Sequence, residues 1–122
     1  RRRRCGWLDL ISLKYSVRVN SLTELFITKL DILSGLGELK LCVGYKNGNE
    51  VLTDYPYDQN ILNTAEPVYE TLKGWKDDIS SIKNFEDLPK NAQTYIKAIE
   101  DFIEVPISFI SVGPERTENI II

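Results

Sequence analysis

Histidine is absent from this 122-residue chain. That excludes a histidine general base, a Ser-His-Asp triad and any imidazole-ligated metal within these residues. Methionine is absent too, and the chain opens on Arg1-Arg2-Arg3-Arg4. With the apolar end Ile120-Ile121-Ile122, which reads as a strand stopped midway, this leads us to expect a segment of a longer chain. Cysteine is scarce: Cys5 and Cys42 are the only two. They cannot build the dense disulfide framework of a small secreted domain, and two reduced thiols are expected. No apolar run reaches the length of a membrane span, no signal-peptide pattern occurs, and no glycine-rich phosphate loop is found. Positive charge is scarce outside the opening run. The net charge is −3, but without the four leading arginines eleven basic side chains face eighteen acidic ones, a balance of −7. Such a body repels nucleic acid and anionic membranes, so neither is expected as a partner.

What is present is the composition of a folded domain, 43% hydrophobic and 27% charged. Residues 9 to 20 read as a helix with Asp9 as N-cap. Leu10, Leu13 and Val17 lie on one face, widened by Ile11 and Tyr15, and Asn20-Ser21 ends it. A buried strand is expected at about 24 to 28, followed by a turn at Ser34-Gly35-Leu36-Gly37. Leu39, Leu41, Val43 and Tyr45 alternate, which predicts a strand with one apolar face. Asn47-Gly48 predicts a hairpin whose return arm runs from Glu50 to Thr53. Residues 54 to 65 read as an irregular excursion. Val68 to Leu72 reads as a short strand closed by Gly74-Trp75, and 76 to 85 as polar loop. Asp87-Leu88-Pro89 opens the clearest helix, its buried face drawn by Ala92, Tyr95, Ile96, Ile99, Phe102 and Ile103. Ile107 to Ser111 is a final buried strand. Helices alternating with buried strands, plus one hairpin, predict an α/β fold in which ligands collect at strand carboxyl ends. Trp7 and Trp75 read as anchors of local packing.

Three segments carry candidate chemistry. Thr28-Lys29-Leu30-Asp31 follows the strand Leu25-Phe26-Ile27. A carboxylate there can accept two hydrogen bonds at once from the N1–H and 2-amino group of guanine, a donor pair that adenine lacks. The aliphatic stem of Lys29 can lie along the purine ring while its ammonium stays polar. The ordinary reading of such an Asp is a turn former or N-cap. Arg1 to Arg4 form the second segment. Guanidinium groups grip carboxylates and phosphates in pairs of hydrogen bonds, and alternate residues of an extended run face the same way. A solvated basic end, a localisation patch or a cloning remnant explains the run equally simply. The third is Ser111-Val112-Gly113-Pro114, where a hydroxyl and backbone amides can donate to a purine carbonyl and the proline offers a flat face to a ring. A strand-ending turn accounts for it without a ligand. The carboxylates Glu38, Asp54, Asp77 and Asp78 form no metal-ligand spacing.

Taken in order, these segments resemble the carboxyl-terminal part of adenylosuccinate synthetase. The resemblance is carried by Arg1-Arg2-Arg3-Arg4-Cys5-Gly6-Trp7-Leu8-Asp9, Thr28-Lys29-Leu30-Asp31, Leu39-Lys40-Leu41-Cys42-Val43 and Glu66-Pro67-Val68-Tyr69-Glu70-Thr71-Leu72 with Gly74-Trp75. It continues through Val105-Pro106-Ile107 and Ile110-Ser111-Val112-Gly113-Pro114 with Arg116, and is weakest from Lys46 to Ala65. The resemblance implies that residues 1–122 are part of one P-loop-NTPase-like mixed sheet with flanking helices and a β-hairpin. It implies a cytoplasmic, homodimeric ligase that joins IMP to L-aspartate with GTP hydrolysis and Mg²⁺. Lys29, Leu30, Asp31, Ser111, Val112, Gly113 and Pro114 are then expected to bind the guanine of GTP, Arg1 to reach IMP and aspartate, and Arg3 to reach aspartate and the GTP phosphates. The catalytic Asp and His, the phosphate loop and the Mg²⁺ ligands of that family belong to its amino-terminal part, so no catalytic or metal-binding residue is expected here. The competing expectation is a non-catalytic interaction module whose basic arm binds acidic partners.

Overall fold

The computed structural model describes residues 5–122, so the Arg1–Arg4 run lies outside the described residues. Its elements are β1 (Leu8–Asp9), α1 (Leu10–Val19), β2 (Leu25–Ile27), β3 (Glu38–Asn47), β4 (Glu50–Leu52), α2 (Gln59–Thr64), β5 (Glu66–Lys73), α3 (Lys90–Ile103), β6 (Ile107–Ser111) and β7 (Asn119–Ile121), with 3-10 turns at Leu30–Leu33 and Phe85–Asp87. The class is mixed α/β, as expected. The strands, however, divide into two small mixed sheets rather than contributing to a single one.

In the first sheet β3 is the centre. β5 runs antiparallel along one edge from Glu38↔Lys73 to Lys46↔Glu66. The other edge is shared by β1, parallel at Leu8↔Leu41, and by the hairpin arm β4, antiparallel at Tyr45↔Leu52. The expected alternation of β3 holds through Val43, which packs partly buried against the main core, and fails at Tyr45. A bulge between Cys42 and Gly44 shifts the register, and an unpaired extra residue turns the side chains that follow it. Leu39 and Leu41 therefore enter the main core, whereas Cys42 and Tyr45 join Ile11 of α1 in a second, smaller cluster. Gly44 follows the bulge because β4 passes close: a Cβ there would meet Val51 Cγ1 at 3.1 Å and the Leu52 carbonyl at 3.3 Å. Cys42 is buried and Cys5 exposed, both unpaired.

The second sheet is β2-β6-β7, with β6 parallel to β2 and antiparallel to β7. Ile27, Ile110 and Ile120 stand in register on its inner face. There Ile110 and Ile120 meet the apolar face of α3, with Ala92, Tyr95, Ile96, Ile99 and Ile103 buried. Phe102 is only partly buried beside them. The helix ends at Glu104 in a left-handed conformation, and Glu100 Oε2 accepts the Ile107 amide at 3.0 Å, tying helix to strand. On the outer face Phe26, Phe109 and Ile121 also stand in register, and Phe26 and Ile121 remain 65% and 78% exposed.

The sequence pattern missed α2 and the two-residue β1, and it shortened β5. The stretch read as an irregular excursion contains α2, capped by the Asp58 carboxylate on the Asn60 amide at 2.9 Å. It has no fully buried residue and so no apolar stripe to read. The strand expected at Val68 to Leu72 extends to Glu66 and Lys73, because β3 supplies pairing along its whole length.

Asp9 has two tasks. Its Oδ1 accepts the amides of Ile11 and Ser12 at 3.0 and 3.1 Å, which caps α1, and its Oδ2 accepts the hydroxyl of Tyr45. Burial, then the Asp9 hydrogen bond and charge, push the Tyr45 phenol well above its usual range. A phenol harder to ionise in the folded than in the unfolded chain stabilises the fold below the unfolded pKa, about 10, and loses that contribution as pH rises beyond it. Urea denaturation at about pH 8 and about pH 11 should therefore show a steeper alkaline loss in the wild type than in Tyr45→Phe; parallel losses would contradict the coupling.

Candidate guanine-recognition site

The parallel register of β2 and β6 decides the geometry of the candidate site. Ile27 and Ile110 are partners, so the chain leaves the two strands at the same end, into Thr28-Lys29-Leu30-Asp31 on one side and Ser111-Val112-Gly113-Pro114 on the other. Two of the three segments singled out in the sequence are thus brought together at adjacent strand ends. The third, Arg1 to Arg4, precedes the first described residue. Its continuation, Cys5 to Trp7, lines a cleft of about 490 Å³ against Ile32, Leu33 and Leu36, in the loop that carries Asp31. Trp7 is 41% exposed there and is not the packing anchor expected of it.

Each residue of the first segment has a distinct environment. Lys29 is exposed and sits at φ 60°, ψ 34°. This left-handed conformation costs a non-glycine residue about 1–2 kcal/mol, so the surrounding structure must hold it. Leu30 does so, with its side chain fully buried in the main core. What Leu30 can offer a ligand is therefore backbone. Asp31 lies half-buried in the first turn of the 3-10 segment, where the Ile32 amide returns to the Lys29 carbonyl at 3.3 Å and the Ser34 amide to the Asp31 carbonyl at 3.2 Å. Helix-start geometry and core anchoring together leave the carboxylate at the rim.

A second tie came from a residue read only as an anchor. Trp75 is buried, its indole N–H donates to Ser34 Oγ at 2.9 Å, and its carbonyl accepts the Gly35 amide at 2.8 Å. Gly74 donates to the Gly37 carbonyl at 2.7 Å, and a Cβ at Gly74 would stand 2.9 Å from that oxygen. The Gly74-Trp75 pair therefore clasps the loop that follows Asp31. Trp75 also packs edge-on against Tyr95 of α3, ring centres 6.1 Å apart, which couples the clasp to the core.

In the second segment Ser111 is half-buried and its hydroxyl donates to the Gly113 carbonyl at 3.2 Å. Val112 is fully buried, and its amide is already engaged by the Glu118 carbonyl at 2.9 Å. Gly113 is buried and Pro114 exposed. The donors of this turn are thus partly committed to its own shape, and Pro114 presents its ring outward. Among the described residues no three His, Cys, Asp or Glu side chains cluster as metal ligands, and no helix is long and apolar enough to cross a membrane.

A sequence model of the adenylosuccinate synthetase family matches residues 1–120. The adenylosuccinate synthetase of Halothermothrix orenii is 54% identical over 120 residues, covering 98% of this chain and 28% of the relative. That of Thermodesulfovibrio yellowstonii is 55% identical over 121 residues, again 28% of its length. A structure described as fully ligated adenylosuccinate synthetase from Plasmodium falciparum superposes with a TM-score of 0.94 at 48% identity, covering the whole of this chain and 30% of that one. This chain spans less than a third of the relatives it matches, and it belongs to the adenylosuccinate synthetase family.

Proposed function

We propose that this chain is the guanine-recognising, carboxyl-terminal portion of an enzyme that ligates IMP and L-aspartate to adenylosuccinate with GTP. In that reaction the γ-phosphoryl group of GTP passes to the 6-oxygen of IMP and GDP departs. The aspartate amine then attacks C6 and phosphate leaves. The observation that carries the reading is the emergence of two turns from the same end of adjacent parallel strands. They stand as two walls for one flat base. Asp31 takes the N1–H and 2-amino donors, Lys29 lays its stem along the purine, and Ser111 with the backbone of Val112 and Gly113 faces the other edge, with Pro114 against the ring. Leu30 serves through its backbone, its side chain being committed to the core.

Arg1 and Arg3 fit the anionic groups of aspartate, IMP and the GTP phosphates. Phosphoryl transfer depends on positioning and on neutralising spread negative charge, which guanidinium groups supply. Mg²⁺ falls to the remainder of the full-length protein, as do the phosphate loop and the catalytic residues; this portion alone is inactive. The two sheets are pieces of a larger P-loop-NTPase-like sheet, and the apolar row Phe26, Phe109 and Ile121 is where the remainder covers the outer face. The full-length protein is a cytoplasmic homodimer on this reading.

In the full-length protein, Asp31→Asn should raise the KM for GTP about a hundredfold, the loss of two charge-assisted hydrogen bonds, with the KM for IMP unchanged. An unchanged KM for GTP would remove Asp31 from the base site. Lys29→Gly separates strain from contact. It should leave stability equal or up to about 1 kcal/mol higher, because glycine accepts the left-handed conformation, and it should weaken GTP use. Lower stability with normal GTP use would show that Lys29 serves the fold instead.

A further inference from the structure

The turn between β6 and β7 must hold Ser111 and Gly113 in place, yet it runs from Val112 to Glu118, long for a connection between antiparallel strands. Such a turn keeps one shape only if something ties it internally. The ties converge on Glu118. Its carbonyl accepts the Val112 amide at 2.9 Å, its amide donates to the Glu115 carbonyl at 3.0 Å, and its Oε1 accepts the Glu115 amide at 3.1 Å. Lys83 Nζ donates to the Thr117 carbonyl and Asn119 Nδ2 to the Arg116 carbonyl, which secures the outer part of the turn.

The Glu118 side chain also lies flat against Gly113. A Cβ built at Gly113 would stand 2.5 Å from Glu118 Cδ and 2.9 Å from Glu118 Cβ. Gly113 is not in the left-handed region, so its backbone does not require glycine. Space does, and Glu118 is what takes the space. Gly113 in turn receives the Ser111 hydroxyl on its carbonyl at 3.2 Å. A chain of contact therefore runs from the Glu118 carboxylate through Gly113 to Ser111.

We propose that Glu118 is a positioning residue for guanine recognition, acting through Gly113 and the closed turn and not by touching the nucleotide. The inference rests on the reading of Ser111 to Pro114 as one wall of the base site. It assigns the role to the acceptor oxygen and reach of the side chain rather than to its charge. Gln keeps both reach and acceptor; Asp, one methylene shorter, cannot span to the Glu115 amide; Ala loses both.

The test is steady-state kinetics on the full-length protein, each variant first checked for folding by circular dichroism. Glu118→Ala and Glu118→Asp should raise the KM for GTP about tenfold, as for the loss of one hydrogen bond, with kcat and the KM for IMP within about twofold. Glu118→Gln should stay within about twofold of wild type throughout, because a neutral acceptor suffices. Gly113→Ala should raise the KM for GTP as well, and combining it with Glu118→Ala should add little, because both changes break the same contact. Should Glu118→Ala not fold, Glu118→Asp carries the comparison with Glu118→Gln. A normal KM for GTP in Glu118→Asp and Glu118→Ala, with Asp31→Asn still impaired, would overturn the role of Glu118 and leave the base site standing. A normal KM in Asp31→Asn as well would remove the base site and this inference with it.

Discussion

The parallel pairing of β2 with β6 is the constraint on which the rest depends. It joins segments about eighty residues apart in the chain, and bringing such distant segments together carries a loop-closure cost that local contacts cannot offset. Burial offsets it. Ile107, Ile110 and Val112 on or beside β6 and Leu30 just beyond β2 are all essentially inaccessible, packed with Ile96, Ile99 and Ile103 of α3. Each such side chain contributes about 1.5–3 kcal/mol on burial. The same residues that close the sheet also fix where the two turns begin, so the stability of the core and the geometry of the rim cannot be tuned separately.

At the rim the fold holds conformations that the local sequence does not favour. Lys29 occupies a left-handed conformation beside a buried leucine, and the loop after it is clasped by Gly74 and Trp75 from the end of β5. Both ends of the clasp reach the core, through Leu30 and through the contact of Trp75 with Tyr95. Under the proposed guanine-binding role, the strain at Lys29 is function retained at a cost to local stability. On the opposite turn the arrangement is reversed. There a glycine is needed because an acidic side chain fills the space a methyl group would take.

Much of the fold was legible where a local rule suffices. The Asp9 cap, the apolar face of α3 and the Asn47-Gly48 hairpin each follow from residues within a few positions of one another. Long-range features were not. A bulge at Cys42 to Gly44 leaves no mark on an alternating pattern, α2 has no buried stripe to give a period, and the split into two sheets is a matter of which strands meet. The candidate site was legible as residue types and order, because the ordered set Lys29-Leu30-Asp31 and Ser111 to Pro114 is distinctive. Which atoms face outward was not. Leu30 and Val112 turn their side chains inward, and the supporting roles of Trp75 and Glu118 appear only once the loops are closed in space.

A guanine site built from these two turns makes a demand on the nucleotide as well as on the protein. ITP differs from GTP only in lacking the 2-amino group, one of the two donors assigned to Asp31. The KM ratio of ITP to GTP, measured in the full-length wild type and in its Asp31→Asn variant, is the most direct measurement. A ratio of about tenfold or more in the wild type that falls to near one in Asp31→Asn is expected, since the amino group and the carboxylate are then partners in one contact. An equal ratio in both proteins would mean that the amino group is read elsewhere, and that these adjacent strand ends do not form the guanine site.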